Sequence, residues 1–349
     1  MILSEAVRVI IITTIAFGVA LVFTPFWAGV LKRAGFAKQI RTGKDTPVFN
    51  ELHLRKAGTP TAGGVIIWST VLGLALLFGV LAALFDGPWQ YLNFLNRAET
   101  YLPLAALAIA AVLGLLDDWC GVMGIGGAPG GGLKVRHKSI IYLVLAAVGA
   151  WWFYVRLGWD VLTIPFLGSF AIGPWYIPIF IFIVFAAAFS ANETDGLDGL
   201  LGGVALFTFV ALTTVAFALH RFDLAAFGGA TIGALLAFLW FNIYPARFFM
   251  GDTGSMSLGI VIGVISMLTN TTLLLPFFAV ILVVESLSVI IQLASKKFRG
   301  KKVFRSTPIH HHFEALGWPE SQITMRFWIV SIIFVALGLA LFFLSKFII

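Results

Sequence analysis

The sequence predicts an all-α, polytopic membrane protein with about ten transmembrane helices, each needing about 20 mostly apolar residues. Three observations carry that prediction. The 349 residues are 60% hydrophobic and only 11% charged, with a mean hydropathy of +1.00, whereas a soluble domain carries about 25% charged residues. Apolar runs of helix length recur along the whole chain, and none shows the alternation of a membrane β-barrel. Lysine and arginine crowd into alternate connecting segments, as they do in loops held on the cytoplasmic side. Cys120 is the single cysteine, so no disulfide can form within the chain.

Spans are expected near 7–31, 62–85, 102–117, 139–156, 175–191, 200–219, 223–241, 257–274, 276–295 and 327–346. The first has no basic leader or cleavage site and is too long for a signal sequence, so it reads as a retained span. The segments 102–117 and 175–191 are short for a crossing. Orientation follows from the basic residues. Seven lie between Lys32 and Lys56, three from Lys134 to Lys138, one at Arg247, and seven from Lys296 to Arg326. The opposite side has only Arg8, Arg97, Arg156, Arg221 and Lys346. The richer face is therefore expected in the cytoplasm, with both termini on the outer (periplasmic or extracellular) side.

Carboxylates do not obey that rule, so their placement says more. Asp117 and Asp118 ("LLDDW"), Glu193, Asp195 and Asp198 ("NETDGLDGL") and Asp252 ("MGDTGS") all fall on the basic face, at span ends. A carboxylate left in hydrocarbon costs about 2.5–3.5 kcal/mol even on a lenient scale, so three separate loops carrying acid to one depth need a reason. Clustered carboxylates repel unless cations compensate, and hard oxygen ligands favour Mg²⁺. The same face supplies the basic loops and the triplet His310, His311 and His312. Acids, cations, imidazoles and a divalent metal together fit phosphoryl transfer, where catalysis is mostly positioning and charge neutralisation. Glycines beside the acids leave backbone N–H groups open to phosphate.

Plainer readings stand beside this one. Most basic loop residues serve topology. The run "GVMGIGGAPGGG" (121–132) reads as a flexible linker, because it lacks the GK[ST] ending of a phosphate-binding loop. Glu285 lies inside the span 276–295, where a structural partner on a neighbouring helix is the simplest expectation. A secondary transporter is the rival from another class; it would carry acids deep in several spans and an internal repeat. Only Glu285 is deep.

Five motifs, "HLRKAGTPTAGG" (53–64), "LLDDW" (115–119), "NETDGLDGL" (192–200), "FNIYPARFFMGDTGS" (241–255) and "TPIHHHFEALGWPE" (307–320), resemble in order those of the polyprenyl-phosphate phospho-sugar transferases. Within that superfamily, "PIHHHFE" followed by "GWPE" and "RFWIV" is similar to the MraY family of phospho-N-acetylmuramoyl-pentapeptide transferases. The resemblance implies a multi-pass enzyme of the bacterial inner (plasma) membrane, usually a homodimer, with a cytoplasmic active site and Mg²⁺ as cofactor. It implies transfer of phospho-MurNAc-pentapeptide from UDP-MurNAc-pentapeptide to undecaprenyl phosphate, giving lipid I and UMP for peptidoglycan synthesis. Those substrates and membrane lipid are the implied partners, and no nucleic acid is expected. The alternative within the superfamily is a UDP-N-acetylhexosamine donor. Residues 1–349 then form a single integral-membrane catalytic domain, its site built from loops 32–61, 117–138, 191–199, 242–256 and 296–326.

Carried over position by position, the resemblance makes Asp252 a Mg²⁺ ligand, with Asp195 and Asp117 as companion ligands. Asp117 and Asp118 match its aspartate pair, the first as candidate base toward the lipid phosphate. His310, His311 and His312 complete the catalytic set, near the diphosphate and sugar. Asn192, Asp195, Gly196, Leu197 and Asp198 match the nucleotide loop. Asn242 and Phe249 are nucleoside contacts, Phe249 by stacking, and Lys138 faces phosphate. Lys56, Thr59 and Thr61 belong to a further substrate motif. The chain departs from the pattern in three ways: no lysine follows Asp118 before Lys134, Glu193 replaces the usual leucine, and loop 43–52 is longer.

Overall fold

Lipid offers no hydrogen bonds to a polypeptide backbone, so an apolar chain crosses a bilayer as helices that satisfy their own N–H and C=O groups. A computed structural model describes residues 2–37, 56, 58–97, 99–126 and 131–348. In order it contains α1 (Ile2–Arg33), α2 (Val65–Leu84), the short α3 (Pro88–Leu92), α4 (Tyr101–Val122), and α5 (Val135–Trp151) extended by a π-helical turn to Arg156. There follow α6 (Tyr176–Thr194), α7 (Leu200–Ala218), α8 (Phe222–Asn242), α9 (Asp252–Leu268), α10 (Leu275–Phe278), α11 (Val280–Arg299), the short α12 (Ile309–Glu314) and α13 (Glu320–Ile348).

Among the described residues, eight helical stretches are long and apolar enough to span a membrane. The segment Thr272–Phe278 with Val280–Arg299 makes a ninth, bent by 90°, and Asp252–Leu268 is a shorter apolar helix. The protein is an all-α polytopic membrane fold; eight of the ten expected spans are helices of crossing length, the one expected at 276–295 belongs to the bent segment, and the one expected at 257–274 is the shorter helix. Their limits need correction. The segments predicted at 102–117 and 175–191 extend to Tyr101–Val122 and Gly173–Thr194, because their last turns carry the polar site residues that a hydropathy reading discards. The span expected at 257–274 starts at Asp252 and ends at Leu268, and the one expected at 276–295 is broken. A β-hairpin, Val161–Ile164 paired antiparallel with Gly168–Ala171, occupies part of the connection after α5. Loop 43–52 lies outside the described residues.

Helix α9 is the axis of the molecule: every residue from Thr253 to Leu268 is buried, as expected of a helix apolar on all sides. It approaches its neighbours through small residues, which let transmembrane backbones pack closely. A Cβ on Gly114 of α4 would lie 2.3 Å from the Asp252 carbonyl oxygen, and one on Gly259 would lie 2.7 Å from the Ala187 carbonyl oxygen of α6. Helices α1 and α8 meet the same way at Gly233, whose Cβ would lie 2.2 Å from the Thr13 carbonyl oxygen.

The bend between α10 and α11 frees backbone groups, and Thr208 of α7 answers one of them by donating to the Phe278 carbonyl at 2.9 Å. Past the bend, α11 is two-sided. Glu285, Ser286, Ser288, Gln292 and Ser295 are buried, while Leu287, Ile290, Ile291, Leu293 and Phe298 are exposed. Lys296, Lys297 and Arg299 fill its last turn, where cations suit the helix dipole, and Gly300 closes it at φ +63°. Gln292 holds the following loop, accepting from the Val303 and Phe304 N–H groups at 2.9 and 3.0 Å.

Candidate active site

The acidic motifs converge because α4, α5, α6 and α9 present polar residues at the same end of the molecule. Lys138, in the first turns of α5, lies between two carboxylates, with its Nζ 2.8 Å from Asp117 Oδ2 and 2.5 Å from Asp252 Oδ2. Asn192, near the end of α6, donates to Asp252 Oδ1 at 2.5 Å. Asp117 Oδ1 accepts the Leu133 N–H at 2.6 Å, which ties the residues just before α5 to the pair. The Asp117 side chain is 5% exposed and that of Asp252 21%, so Asp252 is the carboxylate open to a ligand.

Asp118 has a different task. Its Oδ1 and Oδ2 accept the N–H groups of Asp252 and Thr253, each at 3.0 Å, and the Thr61 hydroxyl lies 3.4 Å from Oδ1. The first N–H groups of a helix have no partner within it, so Asp118 caps α9 from a neighbouring helix. That close approach requires Gly251, whose φ is +76° and whose Cβ would fall 2.5 Å from Asp118 Oδ2. The same carboxylate thus fixes the position of Asp252 without facing outward.

A second charged group stands at the Asp198 turn. Lys56 Nζ lies 2.6 Å from Asp198 Oδ1 and also pairs with Glu320, at the start of α13. Asp198 N–H donates to Glu320 at 2.6 Å, and Ala246 N–H donates to Asp198 Oδ2 at 3.0 Å. Burial works against the Lys56 ammonium, but Glu320 and Asp198 outweigh it and raise its pKa. Asn242 donates to the Phe248 carbonyl and accepts from Gly199 N–H, at 2.9 and 3.1 Å. Phe249 is half-buried, with Lys56 5.8 Å from its ring centre.

The histidine triplet divides its work. His310 Nδ1 is 3.0 Å from Glu285 Oε2, both side chains being fully buried. His311 pairs with Glu314 at 2.6 Å, and His312 Nδ1 accepts the Arg305 N–H at 3.1 Å. The His310 ring lies directly under Gly196, whose Cβ would come 2.3 Å from Nε2. Burial opposes protonation of this ring; Glu285, then Glu314 and Glu193, overcome it and raise the pKa above the usual histidine value.

The predicted residues therefore sort by position. Asp117, Lys138, Asn192 and Asp252 form one contact set, with Asp118 and Thr61 behind it. Lys56 and Asp198 form another, beside Phe249. Leu197 is part of the apolar core, Thr59 is half-buried, and Asp195 caps the end of α6. No group of three His, Cys, Asp or Glu side chains suited to a metal occurs among the described residues, so the triad Asp252, Asp195 and Asp117 is not gathered into one cluster. Asp252 and Asp117 alone converge, on the Lys138 ammonium. That donor set still fits Mg²⁺, which typically takes one or two carboxylates and completes its shell with water and substrate phosphate.

Sequence reasoning missed Glu320, which sits inside the quoted "GWPE" but carries no motif signal beyond an acid at a helix start. It also missed Tyr142, one turn beyond Lys138 on α5. Tyr142 is buried, and its hydroxyl has no hydrogen-bond partner among the described residues. The i, i+4 spacing from Lys138 was the available clue.

Comparison with known proteins agrees with this architecture. Residues 100–270 match the family described as Glycosyl transferase family 4. A phospho-N-acetylmuramoyl-pentapeptide-transferase of Chloroflexus aurantiacus is 34% identical, over 97% of this chain and 90% of its own. The protein of that name from Geobacillus thermodenitrificans is 36% identical over 95% and 97%, and that of Rubrobacter xylanophilus is 37% identical over 84% and 86%. Identity at that level, sustained over nearly the full length of both chains, means that this chain belongs to the phospho-N-acetylmuramoyl-pentapeptide-transferase family.

Proposed function

We propose that the protein transfers phospho-MurNAc-pentapeptide from UDP-MurNAc-pentapeptide to undecaprenyl phosphate, yielding lipid I and releasing UMP. The observation that carries the reading is the Asp117–Lys138–Asp252 centre, formed where α4 ends and α5 and α9 begin, in a chain whose relatives bear that name. A water-soluble nucleotide sugar and a phosphate anchored in lipid have to meet where membrane helices end. The acidic end faces the cytoplasm on the distribution of lysine and arginine. Assembly as a homodimer follows from the resemblance alone, and native mass spectrometry tests it.

In this mechanism an oxygen of the lipid phosphate attacks the β-phosphorus of the nucleotide sugar, the bond to the bridging oxygen breaks, and UMP leaves with that oxygen. A phosphate monoester has its second pKa near about 6, so the attacking group is largely ionised already, and the chain's main work is positioning and charge neutralisation. Lys138 contributes a fixed positive charge between Asp117 and Asp252. Asp117, held by Lys138 and the Leu133 N–H, is the candidate for taking up a remaining lipid-phosphate proton. Asp118 has both oxygens engaged in capping α9 and serves to hold Asp252 in place. Asp252, the more open carboxylate, with Asp117 beside it, would hold Mg²⁺. The metal would neutralise charge on the diphosphate and on the leaving phosphate. Phe249 and the Asp195–Asp198 turn would receive the nucleoside.

The reading is tested by incubating purified protein with UDP-MurNAc-pentapeptide, undecaprenyl phosphate and Mg²⁺, and identifying the lipid product by mass spectrometry. A lipid-linked MurNAc-pentapeptide diphosphate supports it. A lipid product formed only from UDP-N-acetylglucosamine would move the protein to the alternative donor.

A further inference from the structure

Helix α13 meets the Asp198 turn through three side chains spaced four residues apart, Glu320, Thr324 and Trp328, and that spacing puts them on one face of the helix. Glu320 accepts the Asp198 N–H at 2.6 Å, Thr324 donates to the Asp198 carbonyl at 3.2 Å, and Trp328 Nε1–H donates to the Gly199 carbonyl at 3.2 Å. Consecutive backbone groups of one turn are thus held by a single helix whose sequence lies more than a hundred residues away.

Glu320 has a second task that Thr324 and Trp328 lack. Its carboxylate also pairs with the Lys56 ammonium, which lies 2.6 Å from Asp198 Oδ1 and 5.8 Å from the centre of the Phe249 ring. The side chains are 4% exposed at Asp198, 11% at Glu320 and 16% at Lys56, so the lysine is the most open of the three. A lysine is a point charge on a flexible four-carbon stem, and two carboxylates from different elements fix its end in one place. One ammonium against two carboxylates leaves a net charge of −1, which does not favour phosphate. It suits an uncharged polar group lying against Phe249.

We propose that Glu320 is a positioning residue for the nucleoside end of the donor. It holds the Lys56 ammonium beside the Phe249 ring, and the backbone of the Asp198 turn with it, without itself touching the substrate. This rests on the reading above in which Phe249 and the Asp195–Asp198 turn receive the nucleoside. Base and ribose, which are uncharged, then lie at Lys56 and Phe249, and the diphosphate lies toward the Asp117–Lys138–Asp252 centre. A preorganised site binds more tightly because its groups need no ordering when the ligand arrives. Glu320 therefore acts on nucleotide affinity rather than on the chemical step.

The test is UMP binding to the full-length protein in detergent, measured by isothermal titration calorimetry, with thermal midpoints to report folding. The variants are Glu320→Gln, Glu320→Asp, Lys56→Met and the Glu320→Gln/Lys56→Met pair. Glutamine keeps an acceptor for the Asp198 N–H and loses the charge that faces Lys56. A lost hydrogen bond between charged groups is worth about 10- to 100-fold in an equilibrium. A fall of that size in UMP affinity is expected for Glu320→Gln, with part of it recovered in Glu320→Asp. In the Lys56→Met background Glu320→Gln should change affinity by less than about threefold, because residues that act through one contact are not additive. Glu320→Asp runs through the same cycle if Glu320→Gln does not fold. In turnover, the KM for the nucleotide donor should rise by a similar factor, with a much smaller fall in kcat. An equal loss in both backgrounds, full affinity in Glu320→Gln, or a fall in kcat at unchanged KM overturns the positioning role. Folded, unmodified protein that does not bind UMP overturns the nucleotide reading itself, and this proposal with it.

Discussion

Replacing Lys138 with methionine keeps the length of the side chain and removes its charge. The ammonium lies 2.8 and 2.5 Å from two carboxylates and is mostly buried. With an effective dielectric of 20, each contact has a gross Coulomb energy of about 6 kcal/mol, most of it offset by desolvation. Removing one partner from a buried charge pair costs about 3–5 kcal/mol net. Expressed on the transition state, where Lys138 also meets incoming phosphate charge, about 3–4 kcal/mol corresponds to a fall of roughly 10²- to 10³-fold in kcat. Two assays check this together. UMP release should fall by that factor. The thermal midpoint of Lys138→Met in EDTA should drop and then recover on adding Mg²⁺, because the bare acid pair takes up a cation; a ligand at 100 times its Kd stabilises by about 2.7 kcal/mol. The unmodified protein, already neutralised by its own lysine, should respond less. Activity within threefold of the unmodified protein, or a midpoint indifferent to Mg²⁺, would refute the reasoning.

Asp118→Ala should lower the thermal midpoint, since it removes the cap of α9 at a cost of about 1–2 kcal/mol; an unchanged midpoint would contradict the capping role. Asp252→Asn should abolish UMP release, and retained release would contradict its place in the site. Gly114→Ala places a Cβ 2.3 Å from the Asp252 carbonyl oxygen, so it should force α4 and α9 apart and reduce both midpoint and activity; a neutral result would show that the helices do not meet as described. His310 has a folded-state pKa raised by Glu285, Glu314 and Glu193 against the opposing effect of burial, with the His311 ring also packed against it. A raised pKa stabilises fully below the unfolded value of about 6.5 and is lost as pH rises through the folded value. The midpoint of the unmodified protein should therefore fall more between about pH 6 and pH 9 than that of His310→Asn; parallel curves would exclude the effect.

Much of the architecture was legible because lipid imposes one rule on every span. Apolar runs long enough to cross mark eight helices and the bent ninth segment in the right order, whereas the tenth run is the shorter, buried α9. The errors fell where that rule competes with chemistry. Spans ending in Asp117–Asp118 and Asn192–Thr194 were read short, since their last turns are polar and buried by neighbours instead of lipid. The bend at Ala279 left no trace in "LLLPFFAVILVV" beyond Pro276, because what sustains it is Thr208 on another helix. The acidic loops, Lys138 and the histidines stood out because charge is rare in this chain. Their division of labour did not. That Asp118 caps α9 while Asp117 shares a lysine with Asp252 depends on where α4 ends relative to α9, a tertiary fact. Glu320 and the partnership of Glu285 with His310 were hidden for the same reason: each links residues far apart in sequence.

The most direct test of the central claim is UMP release by purified protein given undecaprenyl phosphate and Mg²⁺, with UDP-MurNAc-pentapeptide and UDP-N-acetylglucosamine in parallel and Asp252→Asn as the control. The account predicts Mg²⁺-dependent release from the muramyl donor alone, abolished in the variant. Release that persists in Asp252→Asn, or folded protein that releases UMP from neither donor, would contradict it.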